Sequence, residues 1–360
     1  MSSLQNCKEP TSNIVEPTTF YVGTYTDSQS EGIYQFELHQ DGNLQETGLM
    51  AKTENPSFLT KSANGAFLLS VNEVSNEENM GYVTSFKIEK DSLVYLDQKP
   101  TGGAHPCHIT TNEDNFVVTA NYTGGNMGLL QLQSNGTLSD LLDVQQHQGQ
   151  GSHPRQEGPH AHSGWFDNNG NIISIDLGTN QLWFSIIDEK DKVFLPSVPE
   201  TFTMEEGAGP RHLTFHPSQP WIYVVNELTS SVSLLKKDQV SEKYTSIQTI
   251  STLPAEYKEP NTCADIHISN DGKFVYASNR GHNSIAIYKV DPKSGMLEVM
   301  GHQATKGETP RNFSLSPDNK FLLVANQHSD NIVSYLRDQN TGLLIFIDEI
   351  PAPSPVCILF

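Results

Sequence analysis

One short pattern recurs seven times along this chain of 360 residues. It is a run of β-branched and aromatic residues that closes on a small polar one. The runs are Phe20–Thr24, Phe67–Asn72, Phe116–Asn121, Ile172–Asp176, Ile222–Asn226, Phe274–Asn279 and Phe321–Asn326, and their last residues are spaced by 48, 49, 55, 50, 53 and 47. Turn-formers precede them, such as Asn64-Gly65, Asn270-Asp271-Gly272 and Pro317-Asp318-Asn319, which supply the geometry a hairpin needs. Before each turn lies another short strand, opening on signals such as His105-Pro106, Pro159-His160, Pro210-Arg211 and Pro310-Arg311. A third strand and a more polar fourth follow, and we name the four A, B, C and D in chain order. A four-stranded unit repeating at about 40 to 50 residues predicts propeller blades, so the fold class is all-β, a seven-bladed β-propeller. The first unit has no A strand of its own. Ser354 to Phe360 matches that pattern, so the C-terminus is expected to complete blade one and leave no open edge. The domain reading is a disordered lead-in over 1–17 and one propeller over 18–360.

Composition narrows the function classes. A net charge of −20 opposes non-specific binding to nucleic acid or anionic membrane. An anionic substrate would need a local basic cluster against that background. No apolar run is long enough for a membrane helix, and no secretory signal opens the chain. The expectation is a cytoplasmic protein, periplasmic if a signal peptide has been removed, and a monomer or weak homodimer. Cys7, Cys107, Cys263 and Cys357 are scattered without metal spacing, so they read as buried small hydrophobes. Neither a metal nor a cofactor is expected.

Strands A and B are antiparallel, so every A start and every B end lie at one end of the blades. In a ring these positions form one rim. The A starts are His105, His160, Arg211, Thr262 and Arg311. The B ends are followed or closed by Tyr25, Glu73, Tyr122, Leu177, Glu227, Arg280 and Gln327. Three of the chain's five arginines thus converge on one mouth. Guanidinium forks bind carboxylate or phosphate in a bidentate manner. Glu227 among arginines would have a depressed pKa, suiting a base or an orienting group. In Pro159-His160-Ala161-His162 the two imidazoles suit proton transfer or substrate hydrogen bonding, and this alignment puts His160 in the Arg211 column.

The order Tyr21-Val22-Gly23-Thr24-Tyr25, Gly158-Pro159-His160-Ala161-His162, Asp176-Leu177-Gly178, Gly209-Pro210-Arg211-His212, Val225-Asn226-Glu227 and Ser278-Asn279-Arg280 resembles the lactonase β-propellers. These include bacterial propeller-type 6-phosphogluconolactonases and fungal carboxy-muconate lactonizing enzymes. The resemblance runs from about Phe20 to Phe360. It implies a metal-independent catalytic set of His160 or His162, Arg211, Glu227 and Arg280, with His160 preferred because it shares the Arg211 column. The remaining rim residues His105, Glu73, Tyr122, Arg311 and Gln327, with Asp176 at the close of its B run and His162, are expected to bind substrate. The implied activity is hydrolysis of a sugar lactone, 6-phosphoglucono-1,5-lactone to 6-phosphogluconate, a step of the pentose phosphate pathway. A muconate-type lactonizing cycloisomerase and a non-catalytic interaction scaffold are the alternatives.

Overall fold

A computed structural model describes residues 16–238 and 240–360. Its 28 strands form seven four-stranded antiparallel sheets, and there is no helix among the described residues. Each A strand touches the A strands of both neighbouring blades, and these contacts close into a ring. The A strands therefore line the centre, and each sheet runs outward through B and C to D.

Blades pack face against face, so B strands are covered on both sides. Trp221–Asn226 and Phe321–Asn326 are buried at every position, whereas the D strand Tyr244–Ser251 is largely exposed. This burial explains why the sequence shows near-continuous apolar runs at B rather than strict alternation. The apolar clusters sit between blades: Tyr223 and Val225 of one sheet pack with Val275, Ala277 and Tyr288 of the next.

The polar residue that closes each B run has a structural duty. Asn121, Asn279 and Asn326 are fully buried, and their side-chain amides donate to Thr101 O (3.0 Å), Thr252 O (2.8 Å) and Thr305 O (3.0 Å). Each clamps the link between a D strand and the next A strand. A buried carbonyl there would otherwise be left unpaired, which is costly.

The ring closes as the repeat predicts. Pro355–Leu359 pairs antiparallel with Thr18–Thr24, matching Tyr21 to Leu359, Val22 to Ile358 and Gly23 to Cys357. The closing strand buries Val356, Cys357 and Ile358. Deleting residues 354–360 should expose the edge of Thr18–Thr24 and open the ring. We expect a clearly lower Tm with concentration-dependent association, read by thermal unfolding and size-exclusion chromatography. An unchanged Tm would mean that closure contributes nothing. Residues 1–15 of the expected lead-in, and Cys7 with them, lie outside the described residues. Cys107, Cys263 and Cys357 are free and buried.

Candidate active site

The A strands do not enter the centre in regular register. Pairing with strand B skips a residue between Pro106 and His108, Ala161 and Ser163, Pro210 and His212, and Pro310 and Asn312. Cys107, His162, Arg211 and Arg311 are thus the extra residues of four equivalent β-bulges. A bulge re-aims a side chain that strict alternation would send elsewhere. Here it delivers one group from each of these four blades to the central channel.

This register corrects the alignment made from sequence. His162, not His160, occupies the column of Arg211, because Ala161 pairs with Asp176 as Pro210 pairs with Asn226. The sequence alignment began this A strand one turn signal too early. His160 lies outside the strand, stacked on Tyr122 with ring centroids 4.6 Å apart. Its Nε2 is 3.2 Å from Glu157 Oε1.

Glu227 is the hub. It is 3% exposed, and its Oε2 lies 3.1 Å from Arg211 Nε and 2.8 Å from Arg280 Nη2. Its Oε1 accepts from Arg155 Nη1 at 2.6 Å. Arg155 also donates to Tyr122 Oη at 3.1 Å. Two of the guanidinium groups are tied to backbone as well: Arg211 Nη1 donates to Ala264 O (2.6 Å) and Arg280 Nη2 to Cys263 O (2.8 Å). Across the channel, Arg311 donates to Tyr25 Oη at 2.8 Å, and that hydroxyl donates to Glu73 Oε2 at 2.8 Å. Four of the chain's five arginines gather here against two carboxylates. This basic cluster is the local offset that an anionic ligand requires against the acidic chain.

The electrostatics follow from burial and proximity. Burial alone would raise the pKa of Glu227, but Arg280, Arg211 and Arg155 together hold it at about 2. Arg211 falls to about 10 through desolvation and the nearby Arg280 and Arg311, and so remains a cation at neutral pH. Desolvation, with the charge of Arg211 second, holds the pKa of His162 well below the usual imidazole value. His162 is accordingly a neutral imidazole, only 4% exposed. Its Nδ1 is 3.7 Å from Cys107 Sγ.

A second buried set supports the first. His212 donates from Nδ1 to Asp265 Oδ1 at 2.8 Å, which leaves Nε2 as an acceptor 3.3 Å from Arg211 Nη1. Asp265 Oδ2 accepts from Asn312 Nδ2 at 2.6 Å, and Asn312 Oδ1 from the Ile358 N–H at 2.7 Å. The guanidinium of Arg211 is thereby tied to the strand that closes the ring. Around His212, the rings of Phe58, His108 and Trp165 pack in tilted and edge-to-face contacts. Arg211, Arg311, Glu73 and Cys107 line, with Phe58 and His212, a small cavity of about 10 Å³.

Two other residues expected to bind substrate, Asp176 and His105, stand apart. Asp176 is fully buried and takes the place of the clamping asparagines. Its carboxylate accepts from His147 Nδ1 (2.8 Å), His160 N (2.9 Å) and Thr179 N (2.7 Å), so it fixes a link rather than facing the channel. His105 has a left-handed backbone (φ 51) and turns its Nδ1 to Thr123 Oγ1 at 2.9 Å. Gln327 shares the strand-end place of Glu227, its N–H tied to Thr309 O at 3.0 Å. Arg155 is the residue that the repeat could not find, because it sits on a link and not on a strand. The signal was the longest spacing in the repeat, 55 residues from Asn121 to Asp176, which contains the 147–160 link.

The comparisons with known proteins agree with this geometry. The family model described as "Lactonase, 7-bladed beta-propeller" matches residues 19–360. A Bacillus subtilis protein named 6-phosphogluconolactonase is 36% identical over 298 residues, covering 81% of this chain and 83% of the relative. The solved structure of a candidate 6-phosphogluconolactonase from Bacteroides fragilis superposes with a TM-score of 0.89 at 36% identity, covering 96% and 98% of the two chains. The periplasmic gluconolactonase PpgL of Pseudomonas aeruginosa superposes with a TM-score of 0.89 at 28% identity, covering 95% and 98%. The family match over residues 19–360 and the identity to these relatives lead to one conclusion: this chain belongs to the lactonase seven-bladed β-propeller family.

Proposed function

We propose that this chain hydrolyses a sugar lactone, with 6-phosphoglucono-1,5-lactone as substrate and 6-phosphogluconate as product. The observation that carries the reading is the arginine-ringed channel mouth beside a neutral, buried imidazole. The named activities of the Bacillus and Pseudomonas relatives support the same chemistry. Water attacks the lactone carbonyl, and negative charge develops on the carbonyl oxygen. Preorganised guanidinium donors from Arg211 and Arg280 stabilise that oxyanion in a site of low dielectric. The attacking water gives its proton to His162, which returns it to the ring oxygen as the C–O bond breaks. The proton count closes, and the product is the free hydroxy acid.

Glu227 is assigned the orienting role. Both its oxygens are engaged by arginines, and a carboxylate held at about 2 is a poor proton acceptor near neutral pH. His162 takes the proton-transfer role in preference to His160 because it occupies the bulge position equivalent to Arg211.

His162→Asn should lower kcat by about 10²- to 10⁴-fold, whereas His160→Asn should cost less than about tenfold. The measurement is lactone hydrolysis with the spontaneous rate subtracted. The opposite ranking would move the base to His160. Because the pKa of His162 is held down, it stays deprotonated as pH falls from 8 to 6. The rate above background should be flat across that window, where an ordinary imidazole would already be protonating.

A further inference from the structure

We infer that Arg155, carried on the 147–160 link, is the residue that selects a phosphorylated lactone over its unphosphorylated counterpart. The inference rests on the lactonase reading and deepens it. Among the four arginines of the mouth, Arg155 alone comes from outside the A and B strands. Its side chain is 45% exposed, against 3% for Arg211 and 13% for Arg280.

Its donors also remain available. A guanidinium has five N–H groups in a planar fork. Arg155 has two hydrogen bonds, from Nη1 to Glu227 and from Nη2 to Tyr122, so three donors are free to meet an anion. Arg211 and Arg280 are buried deeper, each held by a backbone carbonyl as well as by Glu227.

The link that carries Arg155 is held firmly. The neighbouring Gln156 is fully buried. Its side chain donates to Leu177 O at 2.8 Å and accepts from the His153 N–H at 3.1 Å, and its carbonyl accepts from the Gly151 N–H at 2.9 Å. A guanidinium presented from a fixed backbone loses less entropy when it binds.

Position decides the chemistry. A phosphate near neutral pH carries close to two negative charges, and burying it in the narrow channel would forfeit its hydration. At the rim it keeps water on one side and meets a bidentate fork on the other. The lactone ring can then reach inward to Arg211 and His162, with the phosphate as the outer anchor. An unphosphorylated lactone offers Arg155 only a neutral hydroxyl in place of a doubly charged, bidentate acceptor.

The test compares 6-phosphoglucono-1,5-lactone and glucono-1,5-lactone on wild type, Arg155→Met and Arg155→Lys. Both substrates should lose rate in Arg155→Met, since Glu227 loses a partner. The ratio of kcat/KM, phosphorylated over unphosphorylated, should fall at least tenfold, chiefly through KM, and Arg155→Lys should lie between. A ratio unchanged within twofold in Arg155→Met would overturn the inference while leaving the lactonase reading intact. Calorimetric binding of 6-phosphogluconate gives a readout without catalysis. Its affinity should fall at least tenfold in Arg155→Met while that of gluconate falls less than threefold; equal losses would overturn the inference. Arg155-dependent binding in a wild type that hydrolyses neither lactone would support the anion site and overturn the lactonase reading.

Discussion

Arg211→Ala should lower kcat/KM for the lactone by about 10²- to 10³-fold, the typical consequence of removing one oxyanion donor. Arg211 is the most buried of the four site arginines, and a β-bulge aims it into the channel. The fold should survive the change. Glu227 keeps Arg155 at 2.6 Å and Arg280 at 2.8 Å, so no buried carboxylate is orphaned. The Ala264 carbonyl loses its donor, a cost of about 1 to 3 kcal/mol. Arg211→Lys restores charge without the fork and should recover only part of the rate. Progress curves corrected for spontaneous hydrolysis, paired with thermal unfolding, separate the two effects. A loss under threefold with the fold intact would remove Arg211 from the reaction.

Glu227→Gln should be the most destabilising conservative change in the molecule. The amide matches the carboxylate in shape but withdraws the counter-charge from three guanidinium groups. Breaking a buried ion pair in this way costs about 3 to 5 kcal/mol. Activity should fall with it, because Arg211 and Arg280 lose the group that aligns them. The pH dependence gives an independent check. The folded-state pKa of Glu227 is depressed to about 2 from an ordinary 4.5. The stability it contributes is therefore complete above about pH 5 and is lost as pH falls towards 2, amounting to roughly 3 kcal/mol. Urea unfolding at pH 7 and pH 3 should show a gap between wild type and variant that narrows at the lower pH. Other acidic groups, Asp265 among them, titrate in both proteins and cancel in the difference. A gap independent of pH would contradict the charge argument.

Much of this site was visible as positions before it was visible as contacts. Glu227 follows the closing asparagine of a B run, and Arg280 follows another, so a repeat alignment alone places them on one rim. Asp176 shows where that logic fails. It closes a B run and stands in the Asp176-Leu177-Gly178 match, yet it shares the column of Asn121 and Asn326, whose duty is to clamp a link. His160 and His162 show a second limit. Both stand beside the same strand start, and only the bulge between Ala161 and Ser163 decides which imidazole enters the channel.

The repeat by itself determined the number of blades, the face that carries the rim and the closure by Val356 to Ile358. These follow from local rules: strand periodicity, turn residues and the need to leave no open edge. The tertiary structure alone decided which side chains point inward, which carboxylate is shared and where Arg155 joins from its link. Those outcomes depend on bulges and on groups 72 residues apart, as Arg155 and Glu227 are. Strand periodicity alternates strictly by two, so it has no means of registering one extra residue, and a link lies outside the repeat altogether. The seven-fold pattern builds the ring, and the departures from that pattern build the site.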